Sequence, residues 1–225
     1  MEDGIFANTP NINYKTKNND SIYGDSEYRL VIKNNQTGAI TYAQTSVINK
    51  FISYNSFDPI INLIQNPFRV IWYHGQDARY YQVYFDFHYD EVNKVTLVKT
   101  EKLIHWYLGQ VDASGKTAGT PIEIGVLPDQ FYVYLKAKID PDLTVNRFAG
   151  YVDLVYEAGN TDLYEYYKIN NNPNTVLLTT PTFTNINNGL GVLGSKYTET
   201  VYNRTLSSNS LDSLVAGRFT YNLGF

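Results

Sequence analysis

Residues 79–92 read R-Y-Y-Q-V-Y-F-D-F-H-Y-D-E-V, and this alternation constrains the chain more than any other stretch. In an extended backbone successive side chains point to opposite sides. Tyr81, Val83, Phe85, Phe87 and Tyr89 then share one face, and Tyr80, Gln82, Tyr84, Asp86, His88 and Asp90 share the other. A period of two held over so many residues predicts a long strand with one buried and one polar face. Such a strand needs neighbours on both edges and a layer over its apolar side.

The rest of the chain supplies candidates. Residues 27–33 and 39–47 read as a hairpin around the turn Asn34-Asn35-Gln36-Thr37-Gly38, with Tyr28, Leu30 and Ile32 on one face. Strands are expected at 69–74, 95–100, 102–111, 148–157, 196–206 and 218–225. Residues 130–139 also alternate, placing Phe131, Val133, Leu135, Ala137 and Ile139 inside and Tyr132, Tyr134, Lys136 and Lys138 outside. Helices are expected at 162–169, where Asp162 and Glu165 have capping-box spacing, and at 210–216, stopped by Gly217.

With 21 tyrosines, 11 phenylalanines and one methionine among 225 residues, the composition favours pleated, half-buried surfaces. The expected fold is mostly β: an antiparallel β-sandwich or barrel-like domain with one or two short helices. A connection containing Pro59 and Pro67 divides the reading. Residues 1–55 are expected to be the C-terminal part of an immunoglobulin-like β region, and residues 56–225 the main antiparallel β domain.

The net charge of −4 and the 18% of charged residues leave no basic field for nucleic acid or anionic lipid. No cysteine is present, so disulfides, thiolate catalysis and cysteine-ligated metals are excluded. No stretch approaches the ~20 apolar residues that span a bilayer. The opening Met1-Glu2-Asp3-Gly4 lacks the pattern of an export signal and is expected to be the start of a mature or trimmed chain.

The glycines of 182–195, T-F-T-N-I-N-N-G-L-G-V-L-G-S, have a spacing superficially like that of a phosphate loop. A phosphate loop opens a helix and often carries Lys-Ser/Thr, whereas here the chain continues as strand, so the glycines are read as structural. His74, His88 and His105 show no metal-ligand spacing, and no serine occupies a nucleophile elbow. Asp86, Glu91, Asp153 and Glu157 are the strand-borne carboxylates available for glycoside hydrolysis. Tyr84, Tyr132 and Tyr134 accompany polar residues on expected outer faces, where they either stack on a ligand or pack under another layer. The candidate ligand-binding residues are thus Tyr84, Asp86, His88, Tyr132 and Tyr134, with no catalytic residue, cofactor or metal expected.

The run from Thr184 to Ser195 resembles the T-N-I-x-N-G-x-G-I/V-F-x-S/A signature of uncharacterised surface lipoproteins of Bacteroidetes, with Leu193 in place of the more usual aromatic. The resemblance extends to Leu211-Asp212-Ser213-Leu214, to Ala78-Arg79-Tyr80-Tyr81-Gln82-Val83 and to the hairpin from Tyr28 to Thr45. It implies an exported protein held at the outer membrane by a lipidated N-terminal cysteine, often encoded near a TonB-dependent transporter. The chain lacks that cysteine, so a trimmed or partial chain is expected. The family brings no catalytic residues with it. The functional expectation is a non-enzymatic lipoprotein of the cell surface, an accessory binding or assembly component. Its partners would be an outer-membrane transporter or surface complex and a glycan or peptide ligand. A carbohydrate-active enzyme using Asp86 and Glu157, or a structural adhesin subunit, is the alternative.

Overall fold

A computed structural model describes residues 2–3, 10–11, 21–64, 67–170 and 183–225. The chain is mostly β, with antiparallel or mixed, curled sheets consistent with a sandwich or barrel-like domain. The strands are β1 (Glu2–Asp3), β2 (Pro10–Asn11), β3 (Ser26–Lys33), β4 (Ile40–Val47), β5 (Ile60–Ile61) and β6 (Phe68–Tyr73). They continue with β7 (Tyr80–Asn93), β8 (Lys99–Asp112), β9 (Pro121–Val126), β10 (Val145–Gly159) and β11 (Lys196–Leu206). Three α-helices, α1 (Gln130–Lys138), α2 (Thr161–Asn170) and α3 (Ser208–Ala216), and a 3₁₀ turn (Tyr54–Phe57) complete the elements of the described residues.

The main sheet runs β5-β11-β10-β7-β8, so the alternating strand β7 lies inside it, flanked by antiparallel β8 and β10. Tyr81, Val83, Phe85, Phe87 and Tyr89 are buried, as the alternation requires. The layer over them comes from the β6–β9 pair, α1, α3 and the C-terminal residues. Trp72 packs against Tyr81 and Tyr156, Phe131 against Phe85 and Phe87, and Phe225 against Phe87 and Tyr89. These large side chains sit in one continuous apolar cluster, each worth roughly 1.5–3 kcal/mol of burial.

Two expected strands are not strands, and most of a third, 95–100, is the turn before β8, which begins only at Lys99. Residues 130–138 form α1: Phe131, Tyr132, Leu135 and Ile139 are buried, a helical spacing, while Val133 and Ala137 are exposed. Aromatic and β-branched residues gave this segment a strand-like look, but the space above Phe85 and Phe87 takes a helix. Residues 218–225 find no partner strand among the described residues. They turn back after α3, with Thr220 Oγ1 donating to the Ser213 carbonyl and Gly224 at φ +81°. Gly217 ends α3 in an extended conformation rather than a left-handed one. A Cβ there would lie 2.1 Å from the Ser213 carbonyl oxygen, so the position needs space.

Several polar contacts fasten the β3–β4 hairpin to the body, and Asn160 makes the most deeply buried of them. Asn160 is fully buried; its Nδ2 donates to Thr45 Oγ1 (2.7 Å) and to the Ser46 carbonyl (3.0 Å). Its Oδ1 accepts from the backbone N–H of Leu163, capping α2, and from that of Ser195. The capping role expected of Asp162 thus falls to Asn160, and Asp162 instead accepts from Thr45 Oγ1 (2.8 Å). Beyond this clamp the hairpin projects, leaving Leu30, Val31, Ile32 and Ile40 exposed.

The glycine-rich stretch lies against the hairpin and α2; its first residue, Thr182, is outside the described residues. Asn187 and Tyr42 exchange backbone hydrogen bonds, and Asn185 closes the loop onto Leu193. Gly191 has φ +129°, and a Cβ on Gly194 would sit 3.0 Å from Leu163 Cβ. No helix begins there, which agrees with a structural role for these glycines. Replacing Asn160 by Ala should lower unfolding free energy by about 2–4 kcal/mol, because several buried groups lose partners at once. Amide exchange should show β4 losing protection first; unchanged stability would refute the clamp.

Candidate ligand-binding face

The polar face of β7 meets matching faces on β8 and β10. The turn that brings Asn93 opposite Val98 fixes the β7–β8 register, which sets Tyr84 against Tyr107, Asp86 against His105 and His88 against Leu103. On the other side Asp86 is the cross-strand partner of Asp153, and Tyr84 that of Val155. A bulge between Ala149 and Val152 brings Tyr151 over His88. Gly150 permits it: a Cβ there would lie 2.7 Å from the His88 carbonyl oxygen.

Two similar units result. His105 Nδ1 contacts Asp86 Oδ1 at 2.5 Å, and its ring lies on Tyr84 with centroids 4.4 Å apart and planes at 23°. His88 Nε2 lies 3.3 Å from Asp153 Oδ2, and its ring lies on Tyr151 at 4.2 Å and 16°. An ionised carboxylate only accepts, so His105 Nδ1 carries the proton facing Asp86 and His105 Nε2 remains for other partners. Asp153 Oδ1 also accepts from the Asn203 backbone N–H (2.8 Å) where β11 bulges. The carboxylate side chains are mostly covered, at 16% exposure for Asp86 and 12% for Asp153, whereas His105 is 53% exposed. Tyr107, tilted against Tyr84, is also exposed.

Burial foremost raises the pKa of Tyr84, with the Glu157 charge adding to it, and burial likewise raises that of Tyr107. Both hydroxyls therefore stay protonated donors at neutral pH. At one end Tyr164 and Tyr167 of α2 close over Tyr80. At the other, a small hollow of about 160 Å³ includes His88, Gly150, Tyr151 and Lys99.

Of the five residues expected to bind ligand, the sheet brings Tyr84, Asp86 and His88 together. Tyr132 and Tyr134 are elsewhere, because they belong to α1 on the apolar side. Tyr132 is buried and donates to the Ser210 carbonyl (3.0 Å). Tyr134 stacks on Trp106 and donates to the His105 carbonyl. Sequence reasoning passed over His105, Tyr107 and Tyr151 as site residues. The first two follow once Asn93 is set opposite Val98; Tyr151 depends on a bulge without a sequence signal of comparable strength. A second concavity, an apolar groove of about 770 Å³, runs between α1 and the edge of β8 beside Trp106, Leu127 and Val133.

The four carboxylates considered for hydrolysis all have partners: Asp86 has His105, Asp153 has His88, Glu157 has Lys196 (2.6 Å) and Glu91 has Arg147 (2.9 Å). His74 is buried, its Nδ1 3.0 Å from the Tyr81 hydroxyl, and burial followed by the Lys116 charge lowers its pKa. Among the described residues no group of three or more His, Cys, Asp or Glu could hold a metal ion. The chain matches no family model, no curated protein and no solved structure.

Burial pushes the Tyr81 hydroxyl up to about 12. Its contribution to stability is complete below about pH 10, the ordinary tyrosine value. Above that the unfolded chain loses protons that the fold retains, so stability falls until the fold's own ionisation near 12. Urea melts should show lower stability at pH ~11 than at pH ~8, and Tyr81→Phe should reduce the difference by the share of one hydroxyl, since burial raises other tyrosines, Tyr80, Tyr156 and Tyr197 among them, in the same direction. An unchanged difference in the variant would assign it elsewhere.

Proposed function

We propose that the chain is a non-enzymatic recognition module that takes a saccharide on the polar face of its main sheet. The observation that carries this reading is the row Asp86–Asp153 lying between two ring stacks, Tyr84–His105 and Tyr151–His88. A sugar ring has an apolar C–H face and a rim of hydroxyls. Exposed aromatic rings complement the first, and fixed carboxylates, imidazole nitrogens and phenolic hydroxyls complement the second. Residues two apart on a strand are about 7 Å apart, so Tyr84 to His88 spans about 13 Å, enough for more than one sugar unit.

The same carboxylates support hydrolysis less well. Each is already held by a cationic or imidazole partner, and the face is open rather than a cleft that excludes water. The proposed setting is the outer surface of the cell, as an outer-membrane lipoprotein beside a TonB-dependent transporter. The tyrosine-rich, cysteine-free composition and the likeness of residues 184–195 to the surface-lipoprotein signature support it.

Screening the full chain on a glycan array tests the reading. Retained glycans should lose about tenfold or more in affinity with Tyr84→Ala or Tyr107→Ala, while Tyr134→Phe leaves binding intact. No retained glycan, retention indifferent to the two alanine variants, or binding of peptides alone would overturn it. So would turnover of a retained glycan. Labelling intact cells that express the full-length gene tests the setting, and protein found only inside the cell would refute it.

A further inference from the structure

We propose that the β3–β4 hairpin joins a second copy of the chain through the outer edge of β3, making one four-stranded antiparallel sheet about a two-fold axis. Among the described residues β3 and β4 form a sheet of their own, and the outer edge of β3 pairs with no strand. On the far side of β4, Tyr42 exchanges both its backbone hydrogen bonds with Asn187. Its cross-strand partner Val31 therefore sits in a pair without mutual hydrogen bonds, and the Val31 N–H and carbonyl turn outward on the opposite edge. Alternation gives Glu27, Arg29 and Lys33 the same orientation, while the even residues of β3 bond to β4. Leu30, Val31, Ile32 and Ile40 are exposed around this edge. Free backbone groups beside apolar side chains are a template for another strand. The edge strand β8 of the main sheet differs, because Tyr134 of α1 donates to its His105 carbonyl.

The residues of β3 select its own copy as the occupant. A two-fold axis sets residue i against the partner's residue j, and j against i. An antiparallel ladder must also match outward-facing residues with outward-facing ones. A register centred on Arg29 would set that residue against the partner's Arg29, and one centred on Val31 would set it against the partner's Lys33; like charges then oppose each other. The register centred on Leu30 instead places Glu27 against the partner's Lys33 at one end and repeats the pair at the other. On the opposite face it sets Tyr28 against the partner's Ile32 and Leu30 on the partner's Leu30. Arg29 lies over the Tyr42 ring at 4.3 Å, inside its own hairpin, which leaves room beside the partner's Val31. Within the hairpin Glu27 and Lys33 face Ser46 and Ile40, so the opposite charge for each comes from the second copy. None of these residues belongs to the polar face of the main sheet, and the pairing is independent of the saccharide reading.

Sedimentation velocity of the full chain over a concentration series tests the pairing. A monomer should pass to a dimer and to nothing larger, because the pairing uses up both outer edges. Glu27 and Lys33 are exposed, so substitutions there leave the fold intact. Glu27→Lys sets like charges opposite at both ends and should weaken the dimer about tenfold or more. Adding Lys33→Glu to that variant should restore it. Amide exchange at Val31 should slow as the dimer forms. A chain that stays monomeric, a dimer indifferent to Glu27→Lys, or a double variant as weak as the single one would overturn the proposal. Species that keep growing beyond the dimer would also overturn it. A monomer whose Val31 amide is already protected would do the same and assign the edge to a segment of the same chain.

Discussion

The two-sidedness of β7 is the constraint on which the rest of the structure depends. Its odd-numbered side chains from Tyr81 to Tyr89 are buried, and its even-numbered ones from Gln82 to Asp90 reach the opposite face. A one-residue slip against β8 or β10 would exchange the two sets. It would expose Phe85 and Phe87 and bury Asp86 and His88 without partners, costing several kcal/mol at each position. The hydrophobic layer that stabilises the fold thus also holds the polar row in register, so stability and site geometry share one cause.

Two buried polar anchors hold the periphery to this sheet. Asn160 ties the hairpin, α2 and the glycine-rich stretch together. At the other end Arg147, 5% exposed, pairs with Glu91 and donates to the carbonyls of Leu223 and Asp140. This draws the C-terminal residues over Phe87 and Tyr89. A buried arginine is costly unless fully partnered, and here the partners are the Glu91 carboxylate, the Asp140 carbonyl after α1 and the Leu223 carbonyl of the C-terminal turn. Arg147 also donates its backbone N–H to the Gly224 carbonyl, so the clasp holds the end of the chain at two adjacent residues.

Much of this was legible in the residues. The β7 alternation, the first hairpin, α2, α3 and the long strands β10 and β11 follow from periodicity and turn chemistry, whereas Val95, Leu97 and Val98 look like strand and belong to the turn before β8. In α1, Phe131, Tyr132, Leu135 and Ile139 fit a helix, while the same ten residues also alternate. Local pattern did not separate the two, because the deciding term is the cavity over Phe85 and Phe87. That one reading misplaced Tyr132 and Tyr134 on the binding face. The histidine–carboxylate pairing was hidden for a different reason: its members are 19 residues apart for Asp86 and His105, and for His88 and Asp153 they lie on strands joined through α1. Only the register of three strands makes them neighbours.

The central claim is that ligand recognition belongs to the polar face of the sheet and not to the α1 side, which carries the larger groove. Tyrosine-ring NMR on the full chain, during titration with a glycan retained on the array, separates the two most directly. Signals of Tyr84, Tyr107 and Tyr151 should shift in proportion to saturation while those of Tyr132 and Tyr134 stay fixed. Shifts confined to Tyr132, Tyr134 and the neighbouring Trp106 would contradict the account and move recognition to the groove.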